Sequence, residues 1–257
     1  MVVLGMHRSG TSAVTGVIDA LGLPACVLED RFPPKQWNPR GNFESVSLTL
    51  FDEFLLQLLG GTWWTPPALT EGWAEDPSLV DLRLEAARLF AVAHPFPSWV
   101  WKDPRACLLM PFWDLVLGRD MPRILVLRNP LECAASLADR NGLSLEVSLA
   151  LTERYLRTSL RDSARRSVFV TTYDELLDDS ADWCRRAASF LRSRGLPLRE
   201  PLAVERVHDF LDVELRHHGQ SPELEAGSGA SPALLELWTW AVKRRGIHEN
   251  LSIQDLP

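Results

Sequence analysis

Residues 5–12 read Gly-Met-His-Arg-Ser-Gly-Thr-Ser, directly after the apolar run Met-Val-Val-Leu. The spacing G-x-x-x-x-G-x-[ST] is that of a turn between a strand and a helix. Such a turn aims backbone N–H groups and the positive end of the helix dipole at an anion. Gly5 and Gly10 permit the tight path, and Thr11 stands where a nucleotide-kinase loop carries lysine. Arg8 supplies the cation from inside the loop, and its planar fork can grip two oxygens of one phosphate. Ser9, Thr11 and Ser12 add hydroxyl donors, and His7 is placed to position the same anion. A bare strand–helix turn needs the glycines but neither the arginine nor the hydroxyls.

A second constellation lies about 120 residues on, where the apolar run Ile124–Leu127 ends in Arg128 and Ser136 follows eight residues later. The carboxyl end of a parallel strand is where open α/β sheets bind ligands. Ser136 falls two turns into the next helix, so both side chains can reach one phosphate. Phosphoryl-transfer enzymes hold Mg²⁺ through a loop Ser/Thr and an aspartate after an apolar strand. Here the clearest strand ends in arginine, and Asp174 comes only after Thr171, Thr172 and Tyr173. Without that lysine or a convincing metal carboxylate, the chain suits a transferred group less charged than phosphoryl, and sulfuryl is such a group.

These stretches resemble the 3′-phosphoadenosine 5′-phosphosulfate (PAPS)-dependent sulfotransferase family, in particular bacterial members related to carbohydrate and tyrosylprotein sulfotransferases. "GMHRSGTS" is similar to the family's loop for the 5′-phosphosulfate, and "VLRNPLECAASL" to its 3′-phosphate motif. "VTTYDELL", "NPRGNFES" and "WKDPR" also resemble segments of that family, so the likeness spans residues 4–178. The resemblance implies a P-loop-type three-layer α/β fold, with a central parallel sheet flanked by helices. It implies a donor, PAPS, that leaves as PAP with no metal required. Arg8, Ser9, Gly10, Thr11 and Ser12, with His7, would hold the 5′ end, and Arg128 and Ser136 the 3′-phosphate, with Arg140 a further candidate there.

For catalysis the acceptor hydroxyl must lose a proton, so a base is needed. Glu44, in "GNFES", occupies a place similar to the base of the carbohydrate and tyrosylprotein enzymes, and Phe43 and Trp37 are expected to raise its pKa by desolvation. His7 and His94 are its rivals. Lys102, in "WKDPR", resembles the lysine that steadies the departing bridge oxygen, with Asp103 and Arg105 orienting that loop. The acceptor is a hydroxyl of a carbohydrate or small molecule. A P-loop kinase acting on a small alcohol with ATP and Mg²⁺ is the alternative, and a nucleotide-binding module without catalysis a third.

The elements that must carry these residues follow from pattern. Residues 1–5 predict a buried strand, and Thr11–Leu21 a helix closed by Gly22 with Pro24 beyond. "PACVLE", residues 24–29, predicts a second strand, and 29–45 a loop with three prolines and a glycine. A helix follows to Gly60–Gly61, then a Trp-, Pro- and Thr-rich insertion or lid over 61–77, a helix to Ala93 and a strand in "WVWKDP". Pro111 is expected to disturb the start of the helix over 107–117. "RILVL" and "SVFVTTY" predict strands, and Pro130–Arg140, the run from Leu145, 180–194 and 234–244 predict helices. Residues 219–232 have linker composition and are expected to be mobile. Arg154, Arg157, Arg161 and Arg165 read as a solvated helix face, with a Glu153–Arg157 pair at i,i+4.

At 257 residues the chain reads as one domain, residues 1–257. A net charge of −7 argues against general nucleic-acid binding. The four cysteines are scattered with no CxxC pair, which suggests neither a zinc site nor disulfides and points to a reducing cytoplasm. No apolar stretch approaches ~20 residues, the length a membrane span needs. His7 and Arg8 interrupt the first apolar run too soon for a signal peptide. The oligomeric state is left open.

Overall fold

The apolar runs bury themselves by lying edge to edge. In the computed structural model, which describes residues 1–34, 41–199, 207, 211, 224 and 228–257, five strands form one sheet in the order β2-β1-β3-β4-β5. They are β1 (Val2–Leu4), β2 (Trp101–Lys102), β3 (Arg123–Leu127), β4 (Val168–Thr172) and β5 (Gly246–His248). The pairs β1–β2, β1–β3 and β3–β4 are parallel; β4–β5 is antiparallel, with Phe169 opposite Ile247. The protein is thus α/β with a mostly parallel central sheet.

Alternate residues of the strands point to opposite faces, and each face acquires its own apolar layer. Val3, Ile124, Val126 and Phe169 pack with Val14, Ile18 and Leu21 of α1 (Thr11–Leu21), and with Trp183, Phe190 and Leu191 of α8 (Ser180–Ser193). Val2, Leu4, Leu125, Leu127 and Val170 face the other layer. That layer is built from α2 (Val46–Leu58), α3 (Val80–Ala93), α4 (Ala106–Leu117), α6 (Leu145–Asp162) and α9 (Pro232–Val242). α5 (Pro130–Asn141) and α7 (Tyr173–Asp178) follow β3 and β4 directly. Each fully buried Leu, Ile or Phe in these layers contributes roughly 1.5–3 kcal/mol. Among the described residues, no helix is long and apolar enough to cross a membrane, and all four cysteines are buried and free.

Three expectations need correction. "PACVLE" is not a strand: Pro24 offers no N–H to a ladder. Its carbonyl accepts from Val100 N at 3.0 Å, and Val27 N turns instead to Ala93 O at 2.9 Å before a single 3₁₀ turn at Leu28–Asp30. Pro111 lies inside α4 rather than disturbing its start, in a helix that buries Leu109, Phe112 and Trp113 around it. The sheet is not wholly parallel, since the chain returns after α9 as the edge strand β5. Most of the segment 219–232 lies outside the described residues. On the arginine face of α6, Arg157 makes the expected i,i+4 pair with Glu153 at 3.0 Å, and Arg154 donates to Pro67 O at 3.2 Å.

At the amino end of β3 the sheet closes on charge. Arg123 is fully buried, donates both to the Asp114 carboxylate at 2.6 Å and 2.8 Å, and reaches the Asp162 carbonyl. Burial pushes the Asp162 carboxyl up from 3.8 to about 7, against the pull of Arg123. A carboxyl raised in the folded state binds more protons there than in the unfolded chain, so its contribution to stability falls as pH rises from the ordinary carboxylate range to about 7. Asp162→Asn removes that titration. Chemical denaturation should show the variant more stable than the parent at pH 8 by roughly 1–3 kcal/mol, and little different at pH 4.

The chain goes from β1 sideways to β2, then crosses back over β1 to β3. The strand order therefore reverses around β1, and the crevice at the carboxyl ends there is where an open α/β sheet offers a ligand site.

Candidate functional site

The loop leaving β1 sits in that crevice. Arg8 and Gly10 both adopt left-handed backbone, at φ 70° and 92°. A Cβ on Gly10 would come within 2.3 Å of the Tyr173 ring, and one on Gly5 within 2.8 Å of the Val126 carbonyl. Only glycine fits either place, so the sheet and α7 force the loop's shape. α1 then starts at Thr11 with no side chain capping its first turn, which leaves its N–H groups facing the crevice.

The two distant motifs meet here. Arg8 Nε donates to Ser136 Oγ at 2.8 Å, and Arg128 Nη1 donates to the Arg8 carbonyl at 2.9 Å. Arg128 Nε is held by Glu132 at 2.7 Å, with the Tyr173 ring 5.3 Å from its guanidinium. Its Nη2 is buried without a hydrogen-bond partner. Glu132, Ser136 and Arg140 recur every four residues, so one face of α5 presents all three. Burial, and next the Arg8 charge, bring the Arg140 pKa down from 12.5 to about 10.

β2 delivers Lys102, 1% exposed, which donates to Ser12 Oγ at 3.1 Å and forms an ion pair with Glu44. Asp103 next to it accepts from Thr49 Oγ1 at 2.9 Å and from Arg105, which also pairs with Glu53 at 2.7 Å. Asp103 and Arg105 thus tie the lysine's loop to α2, as the sequence suggested. The Phe43 ring lies 5.0 Å beneath the Arg31 guanidinium. Trp37 lies outside the described residues.

His7 is buried beneath the strap over 61–77, its ring 4.6 Å from Trp63 and 5.9 Å from Tyr155. Its Nε2 has no hydrogen-bond partner. Burial first, and then the charges of Arg105, Arg140, Lys102 and Arg8, hold its pKa well below 6.5. It is therefore a neutral imidazole at pH 7. His94 does not join the site; it stacks on Phe90 at 4.6 Å at the end of α3, and burial lowers its pKa to about 3. Ser9 lines a small cavity together with Cys133, Leu156 and Trp238, and its buried hydroxyl has no hydrogen-bond partner.

The crevice thus gathers Arg8, Lys102, Arg128 and Arg140 around backbone N–H groups, with Glu132 paired to Arg128 and Glu44 paired to Lys102. Four cations so placed can neutralise an anion, and Glu44 holds a carboxylate beside a buried ammonium. No protein-family model and no curated protein matches the sequence. Sequence reasoning missed Glu132, Tyr173 and Trp63. Only Glu132 carried a legible signal, its position four residues after Arg128.

Proposed function

We propose that the chain is a PAPS-dependent sulfotransferase on a P-loop-type three-layer fold, esterifying a hydroxyl of a carbohydrate or small molecule. One observation carries the reading: the loop arginine Arg8 bonds Ser136, while Arg128 clamps the loop from behind. A donor with phosphates at both ends of its ribose needs two such anion sites in one crevice. The residues fit it. The buried, unpartnered Arg128 Nη2 and His7 Nε2 are polar atoms that a bound anion would satisfy.

Arg8, Gly10, Thr11 and Ser12 would hold the 5′ end, and Arg128 and Ser136, with Arg140, the 3′-phosphate. PAPS, when bound, supplies an activated sulfuryl group. Glu44 takes the acceptor's proton, and Lys102, fixed between Glu44 and Ser12, neutralises negative charge developing at the loop. His7, being neutral, steers by hydrogen bonding. The buried, unpaired thiols suit a reducing, cytoplasmic setting.

Calorimetric titration decides the donor. PAP should bind in EDTA, whereas ATP should bind no better with Mg²⁺ than without. Binding of ATP alone, and only with Mg²⁺, would overturn the reading in favour of a kinase.

A further inference from the structure

We propose that Asp30 is the positioning residue for Glu44, an inference that rests on the sulfotransferase reading. Glu44 sits on a loop, where a side chain is ordinarily free to wander, yet its neighbours on both sides are pinned. Phe43 before it holds a left-handed φ of 58°, and such strain persists only where the surroundings enforce it. The Arg31 guanidinium over the Phe43 ring supplies part of that enforcement. The Glu44 carbonyl itself accepts from Phe32 N at 3.1 Å, and Arg31 pairs with Ser45 as an isolated antiparallel bridge.

Asp30 gathers the remaining bonds. Its Oδ2 accepts from the Ser45 hydroxyl and, at 2.7 Å, from the Ser47 hydroxyl. Its Oδ1 accepts from Ser47 N at 3.0 Å. Ser45 is 2% exposed and at the same time caps α2, accepting from Leu48 N at 3.1 Å. One carboxylate thus grips the residue that follows Glu44 and the first turn of the helix behind it. Asp30 is itself fixed by the 3₁₀ turn, and the adjoining Arg31 reaches the Cys26 carbonyl at 2.9 Å and Asp19 at 3.8 Å. A chain of contacts therefore runs from α1 through Arg31 and its neighbour Asp30 to the residues flanking Glu44, and from Glu44 on to Lys102. A loose Glu44 would no longer hold its carboxylate against the lysine, and the loop's counter-ion would be lost.

A coupling cycle on PAP affinity, read by calorimetry, tests this without an acceptor. Glu44→Ala leaves Lys102 beside Ser12 without its counter-ion, so PAP should bind more tightly. Asp30→Ala should tighten PAP in the same direction by about threefold or more, and add less than about 1.5-fold when Glu44 is already alanine. Should Asp30→Ala fail to fold, Ser47→Ala and Asp30→Asn carry the same cycle with fewer bonds removed. Equal shifts in both backgrounds, or no shift in the parent, would overturn the role of Asp30 and leave the donor reading standing. A parent protein that does not bind PAP would instead remove the donor reading, and this inference with it.

Discussion

Arg128→Ala is expected to weaken PAP binding by about 2–5 kcal/mol, between 30-fold and several thousandfold. Two contacts end together, the ion pair to Glu132 and the bond that holds the Arg8 carbonyl, and the unpartnered Nη2 proposed to meet the anion goes with them. Both members of the pair are under 10% exposed. Removing one leaves the other as a buried charge, which costs about 3–5 kcal/mol of fold stability where nothing compensates. Binding and stability must therefore be separated. Arg128→Ala combined with Glu132→Gln removes the stranded carboxylate, so urea denaturation should recover much of the lost stability while PAP affinity stays low. Arg128→Lys restores a charge but not the planar fork that serves Glu132 and Arg8 at once, so it should regain stability more than affinity. If the double variant regains PAP affinity along with stability, the loss in Arg128→Ala came from the buried Glu132 carboxylate, and Arg128 does not hold the anion.

Much of this was legible in the sequence, for identifiable physical reasons. The helix Thr11–Leu21 ends where a glycine at each side says it must, and β3 is a five-residue run whose only polar member, Arg123, begins it. The tight turn between β1 and α1 could be read because its two glycines and the residues between them are consecutive. Arg128 and Ser136 could be read because strand end and helix face fix their geometry. β5 could not: three half-buried or exposed residues carry no alternation, and their partner is defined only once β4 exists. Nor could the Lys102–Glu44 pair, whose members are 58 residues apart, or the Asp30 clamp, whose hydrogen bonds depend on the path of a loop. The contact of the Phe43 ring with Arg31 could not be read either, since it depends on the path of the same loop.

The other large effect concerns turnover. Glu44→Gln keeps the shape of the side chain and the bonds around Ser45, but it cannot accept the acceptor's proton. The transfer rate should fall by about 10²–10⁴, the usual contribution of a positioned base. PAP affinity should hold or improve, because the carboxylate opposes an incoming anion at Lys102. Lys102→Ala should also slow transfer, but with PAP affinity reduced, since it removes the buried cation that bonds Ser12 on the loop. Both are measured by single-turnover transfer of ³⁵S from labelled PAPS to a panel of sugars and phenols, alongside calorimetry with PAP. The opposite signs on PAP affinity are the discriminating result. In a purely structural ion pair, loss of either partner would strand the other and lower affinity in both variants. In a catalytic pair the lysine works on the anion and the glutamate on the acceptor. Glu44→Gln losing both rate and PAP affinity to the same extent as Lys102→Ala would assign the pair to loop architecture, and the base would have to be sought at His7, the neutral imidazole already buried in the same crevice.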